Sequence, residues 1–407
     1  MRGRGAALAL AAATCCGQDF AHRGFLETRA VLFPQTAPND RGRVLGEALL
    51  RWEASYKLRA GWKLFGALDA RADTHHQVDR EARLDRADRS LRRPAFSLRR
   101  LSAQYHRGPW TAEFGKQFIR WGKADILNPT DRFAPRDFLN VLDNDALAVP
   151  AARLTWESGG NSLDAVWAAR FTPSRMPLAN QRWTALPEGA RDLALRELDA
   201  RLPGGPQFGL RWNRLGRGWE HSLVFFEGFH HLPLFVGSLD LAAARLDFRR
   251  NYPRLRLYGA DAAVPLPWFT VKGEAAWFTS RTRRADEYVL WVVQLERTAG
   301  EWAFVGGYAG EVVTRRRNPF GFAPDRGFAR AFLGRAMYTI DATRSLALET
   351  AARRNGRGVW LKAEYSQSFR QHWRATTSFT WIGGDEGDFL GQYHRNSHAL
   401  VALRYSF

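Results

Sequence analysis

Four side chains just ahead of the C-terminal segment, His394, Asn396, Ser397 and His398, come nearest in this 407-residue chain to the parts of a hydrolytic site. Acyl-transfer chemistry needs a nucleophile and a base within hydrogen-bond reach, and a third group to orient the base. No acid, base and nucleophile constellation is supported elsewhere, so the cluster reads better as a polar entry into a strand. The pairs His75-His76 and His230-His231 offer imidazoles to a transition metal. Adjacent residues diverge along an extended chain, however, and these lack the i,i+4 spacing that sets two ligands on one helix face, so they read as exposed loop residues. There is no glycine loop preceding a helix to cradle phosphate and no cysteine metal motif. The reading therefore assigns no catalytic residue, no metal and no cofactor.

Fixed charge at alternate positions is the chemistry that the sequence does repeat. Arg51, Lys57, Lys63, Arg71, Arg153, Arg170, Arg211, Arg254, Arg256, Lys272, Arg335, Lys362, Arg374 and Arg404 alternate with apolar residues, and Glu47, Glu53, Asp69, Glu113, Asp164, Glu274, Glu349 and Glu364 share their faces. If those faces line a water-filled lumen, the basic excess favours anions. At each single site, pairing with an acid on the neighbouring strand is the stronger reading. The formal net charge is +19, and only six of the 60 basic residues are Lys. The arginines are spread through alternating segments and loops, not gathered in one tract or helical stripe, which argues against nucleic acid as the partner.

The elements that must position these charges have a period of two. In the segment near Leu45 to Arg59, Gly46, Ala48, Leu50, Trp52, Ala54, Tyr56 and Leu58 form one face, against Glu47, Arg51, Glu53, Ser55 and Lys57. Soluble strands run about five or six residues, so a split this long points to lipid on one side and water on the other. The last residues repeat it, with Ala399, Val401, Leu403, Tyr405 and Phe407 apolar and Arg404 and Ser406 opposed. Composition agrees, because 16 Trp and 27 Phe occur with only 3 Met and a mean hydropathy of −0.39. No run of 18 apolar residues exists to make a membrane helix.

Short and long connections alternate between these segments. Tight turns fall at Ala60-Gly61, Gly108-Pro109, Ser158 to Asn161, Pro265-Leu266-Pro267 and Ala299-Gly300, and long excursions run over Thr74 to Pro94, Gly122 to Val149 and Thr172 to Pro206. An even strand number with both ends on the short-turn side is the organisation of bacterial outer-membrane barrels. The expectation is an all-β fold, a single transmembrane antiparallel up-and-down β-barrel of about 18 strands, with 16 the alternative count. Its first strand, near Gly24 to Phe33, should pair with its last. Residues 1–17 read as an export signal, from Arg2 and Arg4 through Gly5 to Ala13, and residues 18–407 as the barrel.

The loop from Trp121 to Asn144 is the most distinctive, with turn-forming Asn128-Pro129-Thr130-Asp131 and Pro135-Arg136-Asp137. Folded inward, it would narrow the pore and set Arg120, Lys123, Asp125, Asp131, Arg132, Arg136 and Asp137 beside the path. Folded outward, it would be a surface loop held by local salt bridges. The stretch from Gly115-Lys116-Gln117 through Trp121-Gly122 to Asn128-Pro129-Thr130-Asp131 resembles the strand-to-loop segment of porin-like barrels. With its architecture, the chain resembles the bacterial outer-membrane porin superfamily, in the loose sense that includes substrate-specific porins and alginate-export-like barrels.

That resemblance implies a channel in the outer membrane of a Gram-negative-type bacterium, passing polar solutes without catalysis, with anionic solutes the finer expectation. It also implies membrane lipid and lipopolysaccharide as surroundings, and a barrel-assembly machinery that engages Tyr405 and Phe407. The strongly basic balance departs from the usual acidic porin. Two other functions stay open, an export or secretion barrel with periplasmic partners and a surface enzyme or adhesin anchored by its barrel.

Overall fold

The computed structural model describes residues 19–184, 194–240, 242, 245–317 and 323–407. The proposed export signal, with Cys15 and Cys16, lies outside them. The alternating segments form eighteen long strands, from Phe20–Leu32 to His398–Ser406, each antiparallel to its neighbours. The sheet closes on itself where residues 25–32 pair with residues 406–399. Gly24 and Phe407 complete the seam with reciprocal backbone hydrogen bonds of 2.8 and 2.9 Å. Closure leaves no edge strand, so every backbone group at membrane depth finds a partner. The count is eighteen and not sixteen.

Sequence dictates the two rims. The connections at one rim are tight turns, and at Gly61 (φ +82°) a Cβ would stand 2.4 Å from the His106 carbonyl oxygen, so that turn requires glycine. Trp62 packs on Tyr105 at 4.9 Å, Trp302 on Tyr338 at 4.6 Å and Trp373 on Tyr405 at 5.0 Å near this rim, as an aromatic girdle does at a membrane interface. Above it the outward positions carry exposed apolar side chains, among them Leu50, Leu68, Leu154, Leu223, Val293, Leu348 and Val401. Water would not tolerate so continuous an apolar belt, whereas lipid requires it.

At the other rim the connections are longer, and several fold back into the barrel. The strand Trp110–Gln117 stops four residues short of Trp121, and Asn161–Ala168 ends before Arg170. The long connections also build structure that periodicity did not announce. Ala194–Arg201 runs parallel to Arg245–Asn251, which pairs antiparallel with Leu234–Asp240, giving a three-stranded sheet made of two loops.

Candidate channel constriction

After Gln117 the chain turns into the barrel, and a single wall carboxylate holds it there. Glu274, facing inward from the strand Thr270–Thr279 and buried, accepts hydrogen bonds from the backbone N–H groups of Lys123 (3.0 Å), Ala124 (3.2 Å) and Thr130 (2.8 Å) and from the Thr130 hydroxyl (2.8 Å). Gly122 (φ +96°) permits this approach, since a Cβ there would lie 2.7 Å from both carboxylate oxygens. A buried carboxylate that accepts so many N–H and O–H donors is satisfied without a cation. Flanking contacts fix the same segment. The Lys123 ammonium reaches Glu220 (2.6 Å), Asp261 (3.2 Å) and Asn213 (3.0 Å), and Asp125 meets Lys272 at 3.1 Å while its N–H donates to Gln294.

Apolar packing does the rest. Trp121 meets Phe133 edge-on at 5.2 Å, and Phe133 meets Phe226 at 5.1 Å, in a cluster that includes Val224, Leu257, Phe278 and Leu290 from the wall. Ala124 and Val141 join a second cluster with Val292, Leu333, Trp360 and Ile382. These wall residues point into the barrel, so over this sector the inward face is apolar. That corrects one expectation. Leu255 and Leu257 are the inward residues of Arg254–Pro265, so Arg254 and Arg256 face outward beside Tyr258, and Arg256 pairs with outward Glu227 at 2.9 Å. The assumption that apolar means lipid-facing fails where a loop fills the lumen. Arg170, beyond its strand, is exposed.

Further along the loop, charge replaces hydrocarbon. Asp137 accepts from Arg93 (2.9 Å) and Arg175 (3.2 Å), and Arg175 continues to Asp88 at 2.7 Å, which also binds Lys116. Burial alone would raise the Asp137 carboxyl, but Arg93 and Arg175 outweigh it and hold it far below the ordinary carboxylate range. Asp131 goes the other way. Burial pushes it up to about 6, against the pull of Arg136 and the N–H of Trp121. Arg132 reaches Asp325 at 3.5 Å and lies over the Phe278 ring, Arg136 donates to Asn144 at 3.0 Å, and Arg120 is exposed. The His231 ring bridges the carbonyl oxygens of Thr172 (2.7 Å) and Arg132 (2.8 Å), tying three loops together.

The open part of the lumen lies against the opposite wall. A cavity of about 300 Å³ separates Asn140, Leu142 and Asp143 of the loop from Lys362, Glu364, Arg374, His398 and Arg404 of the wall. A smaller one of about 100 Å³ continues past Glu27, Arg29, Glu47, Arg71 and Arg93. Together they are lined by the bases Arg29, Arg71, Arg93, Lys362, Arg374 and Arg404 and by the acids Glu27, Glu47, Asp73, Asp137, Asp143, Asp145, Glu349 and Glu364. Acids therefore outnumber bases along the path, and the chain's positive excess is carried elsewhere.

Most of the other predicted inward cations are paired across strands, as Arg51 with Asp69 (2.7 Å), Arg153 with Asp164 (2.7 Å), Arg211 with Asp261 (3.3 Å) and Arg335 with Glu349 (2.8 Å). Lys57 and Lys63 stand at the short-turn rim, directly opposite one another. Arg29, Arg93, Arg175, Asn140 and Asp143 escaped the sequence reading. They sit near strand ends or in loops, where alternation gives no facing. The residues His394, Asn396, Ser397 and His398 bond to backbone groups, His394 to the Gly391 carbonyl (2.9 Å), Asn396 to that of Arg182 (3.0 Å) and His398 to that of Asn396 (2.8 Å).

Solved structures of similar shape include outer-membrane porins. A BenF-like porin from Pseudomonas fluorescens Pf-5 superposes with a TM-score of 0.56 at 10% identity, covering 96% of this chain and 98% of that one. Acinetobacter baumannii OccAB4 gives 0.57 at 8% identity over 96% and 98%, and OccAB1 gives 0.53 at 8% over 96% of each. The fold is that of an outer-membrane porin. Comparison with protein-family models finds no match, and comparison with curated protein sequences finds none either. At this identity the likeness concerns the fold alone.

Proposed function

We propose that this chain is a passive channel for small polar solutes in the outer membrane of a Gram-negative-type bacterium. The observation that carries the reading is the loop of residues 118–148, docked inside the barrel and leaving a charged cavity of about 300 Å³ against the far wall. Solutes pass by diffusion along fixed charges, and no covalent chemistry is involved. A preference for anions is the finer reading of the arginine excess. The lining described above does not support it, because acids outnumber bases there, Glu27 is bound by Arg29 and Arg404, and most wall cations have acid partners.

In this setting residues 1–17 serve as the export signal, lipid and lipopolysaccharide surround the belt, and the assembly machinery engages Tyr405 and Phe407. Purified protein in a planar bilayer under a salt gradient tests the channel. Steady conductance with a reversal potential near zero is expected, and silence would sink the proposal. Deleting Phe407, whose ring lies against Gly24 at the seam, should impair membrane insertion more than the conductance of the molecules that do insert. Unimpaired insertion would remove the assembly role.

A further inference from the structure

One arc of the long-loop rim carries a close run of exposed arginines, Arg281, Arg283, Arg284, Arg315 and Arg316. Strands Arg254–Pro265, Thr270–Thr279, Glu287–Ala299 and Trp302–Arg315 are successive neighbours there. On their outer face Tyr258 and Trp277 are exposed and packed together at 5.8 Å, at the depth where aromatic belts meet headgroups. Arg256 stands two residues nearer the rim, opposite Thr279, where the chain enters the turn of residues 280–286.

That turn is built around one half-buried guanidinium. Arg317 donates to the carbonyl oxygens of Ser280 (2.9 Å) and Thr282 (3.3 Å) and pairs with Glu287 at 2.9 Å, while its N–H bonds Asp286 at 2.7 Å. With the inside of the turn so occupied, Arg281, Arg283 and Arg284 are left exposed, and among the described residues they form no salt bridge. Arg316 is exposed beside them, and Arg315, with 64% of its side chain exposed, shares Glu287 at 3.9 Å with Arg317. At the loop-side ends of several other strands the outward positions are uncharged, as at Leu32, Val44, Phe96, Trp167, Phe208 and Phe332, and the neighbouring strand carries an acid, Glu227, paired with Arg256.

We propose that this arc binds the phosphate groups of lipopolysaccharide in the outer leaflet, an assignment that rests on the outer-membrane placement above. The guanidinium fork matches phosphate oxygens two at a time, and a cluster held at headgroup depth on an otherwise apolar belt has no other anion of that geometry beside it.

The test uses the full barrel, stripped of carried lipid in detergent and titrated with bisphosphorylated lipid A, its dephosphorylated form and phosphatidylglycerol, with binding read by native mass spectrometry. Bisphosphorylated lipid A should bind tightest. Arg281→Gln/Arg283→Gln/Arg284→Gln should weaken it by about tenfold or more, while Arg354→Gln/Arg357→Gln, two exposed arginines on another part of the rim, should leave it unchanged. Equal loss in both variants, loss in neither, or equal binding of phosphatidylglycerol would overturn the assignment. The heat-dependent gel shift verifies folding, and if the triple variant lacks it, Arg315→Gln/Arg316→Gln makes the same comparison. Lipid A binding by a barrel that is silent in the bilayer would defeat the channel and leave the arc standing. Normal conductance without phosphate-dependent binding would do the reverse.

Discussion

The lumen wall has two sectors of opposite character. Around Glu274, Leu257 and Phe278 the inward face is apolar with embedded acids, and a loop covers it. Around Lys362, Arg374, Arg404 and Arg29 the inward face is charged and faces open space. Strand geometry is the same in both. What differs is what the alternate side chain meets, protein in one sector and water in the other. A barrel of this strand number is wide enough for an aqueous passage, so the path here is whatever the covered sector leaves free.

The most severe way to break the contrast is to release the loop. Glu274→Ala removes the acceptor of four hydrogen bonds at once and leaves the N–H groups of Lys123, Ala124 and Thr130 buried without partners. Unsatisfied buried donors cost about 1–3 kcal/mol each. Single-channel conductance should rise by about twofold or more as the uncovered sector fills with water. Deleting Asp131 to Asn140 should do at least as much. Unchanged conductance in both would show that the loop does not restrict the path.

Asp137→Ala strikes next, at the point where the loop leaves hydrocarbon for charge. Arg93 and Arg175 would remain buried with half their carboxylates gone, a change that costs about 3–5 kcal/mol when one partner of a buried pair is removed. The gel-shift transition should move to lower temperature, and open-channel noise should increase. Arg93→Met/Asp137→Leu, which removes a cation and the acid together, should be milder than the single substitution.

How much of this was legible depends on which sector is asked. The seam between residues 25–32 and 406–399, the strand number and the outward belt follow from alternation, because lipid imposes one rule on every strand. By the same rule Arg374 and Arg404 were expected inward, and they border the larger cavity, whereas Arg254 and Arg256 were expected inward in the covered sector and face outward. There Leu255 and Leu257 are apolar because Trp121 and Phe133 lie in the same core, a fact carried by residues more than a hundred positions away. The inward fold of the loop was one of two readings, and its turn-forming residues could not choose between them. The choice belongs to Glu274, which in sequence is only another acid on an alternating strand. The sheet formed by residues 194–201, 234–240 and 245–251 was hidden for a related reason, since its pairings join two separate loops.

Acidification should sharpen the boundary between the sectors. Asp131 is raised by burial to about 6, so between pH 4 and 6 the docked loop holds a proton that the released loop does not. Docking is then most stable below about pH 4, weakens as pH rises through 6 and is level above pH 7. Gating noise should therefore fall as pH drops from 7 to 5, and Asp131→Asn should abolish that dependence. Asp137, held in its ionised form by two arginines, should contribute nothing over the same range.

The smallest effect belongs to the open sector itself. Arg374 donates to the Ser366 hydroxyl at 2.7 Å and Arg404 to Glu27, and both border the larger cavity. Neither holds the loop, so Arg374→Gln should leave the stability read from the gel-shift transition within about 0.5 kcal/mol of wild type. It does remove one of six bases from a lining with eight acids, which should move the reversal potential toward cations by a few millivolts. Arg404→Gln should move it less, because Glu27 keeps Arg29 and its own charge remains half compensated. A loss of stability in either variant would mean that the wall charges are structural here as well. The two sectors would then differ in what covers them and not in what their charges do.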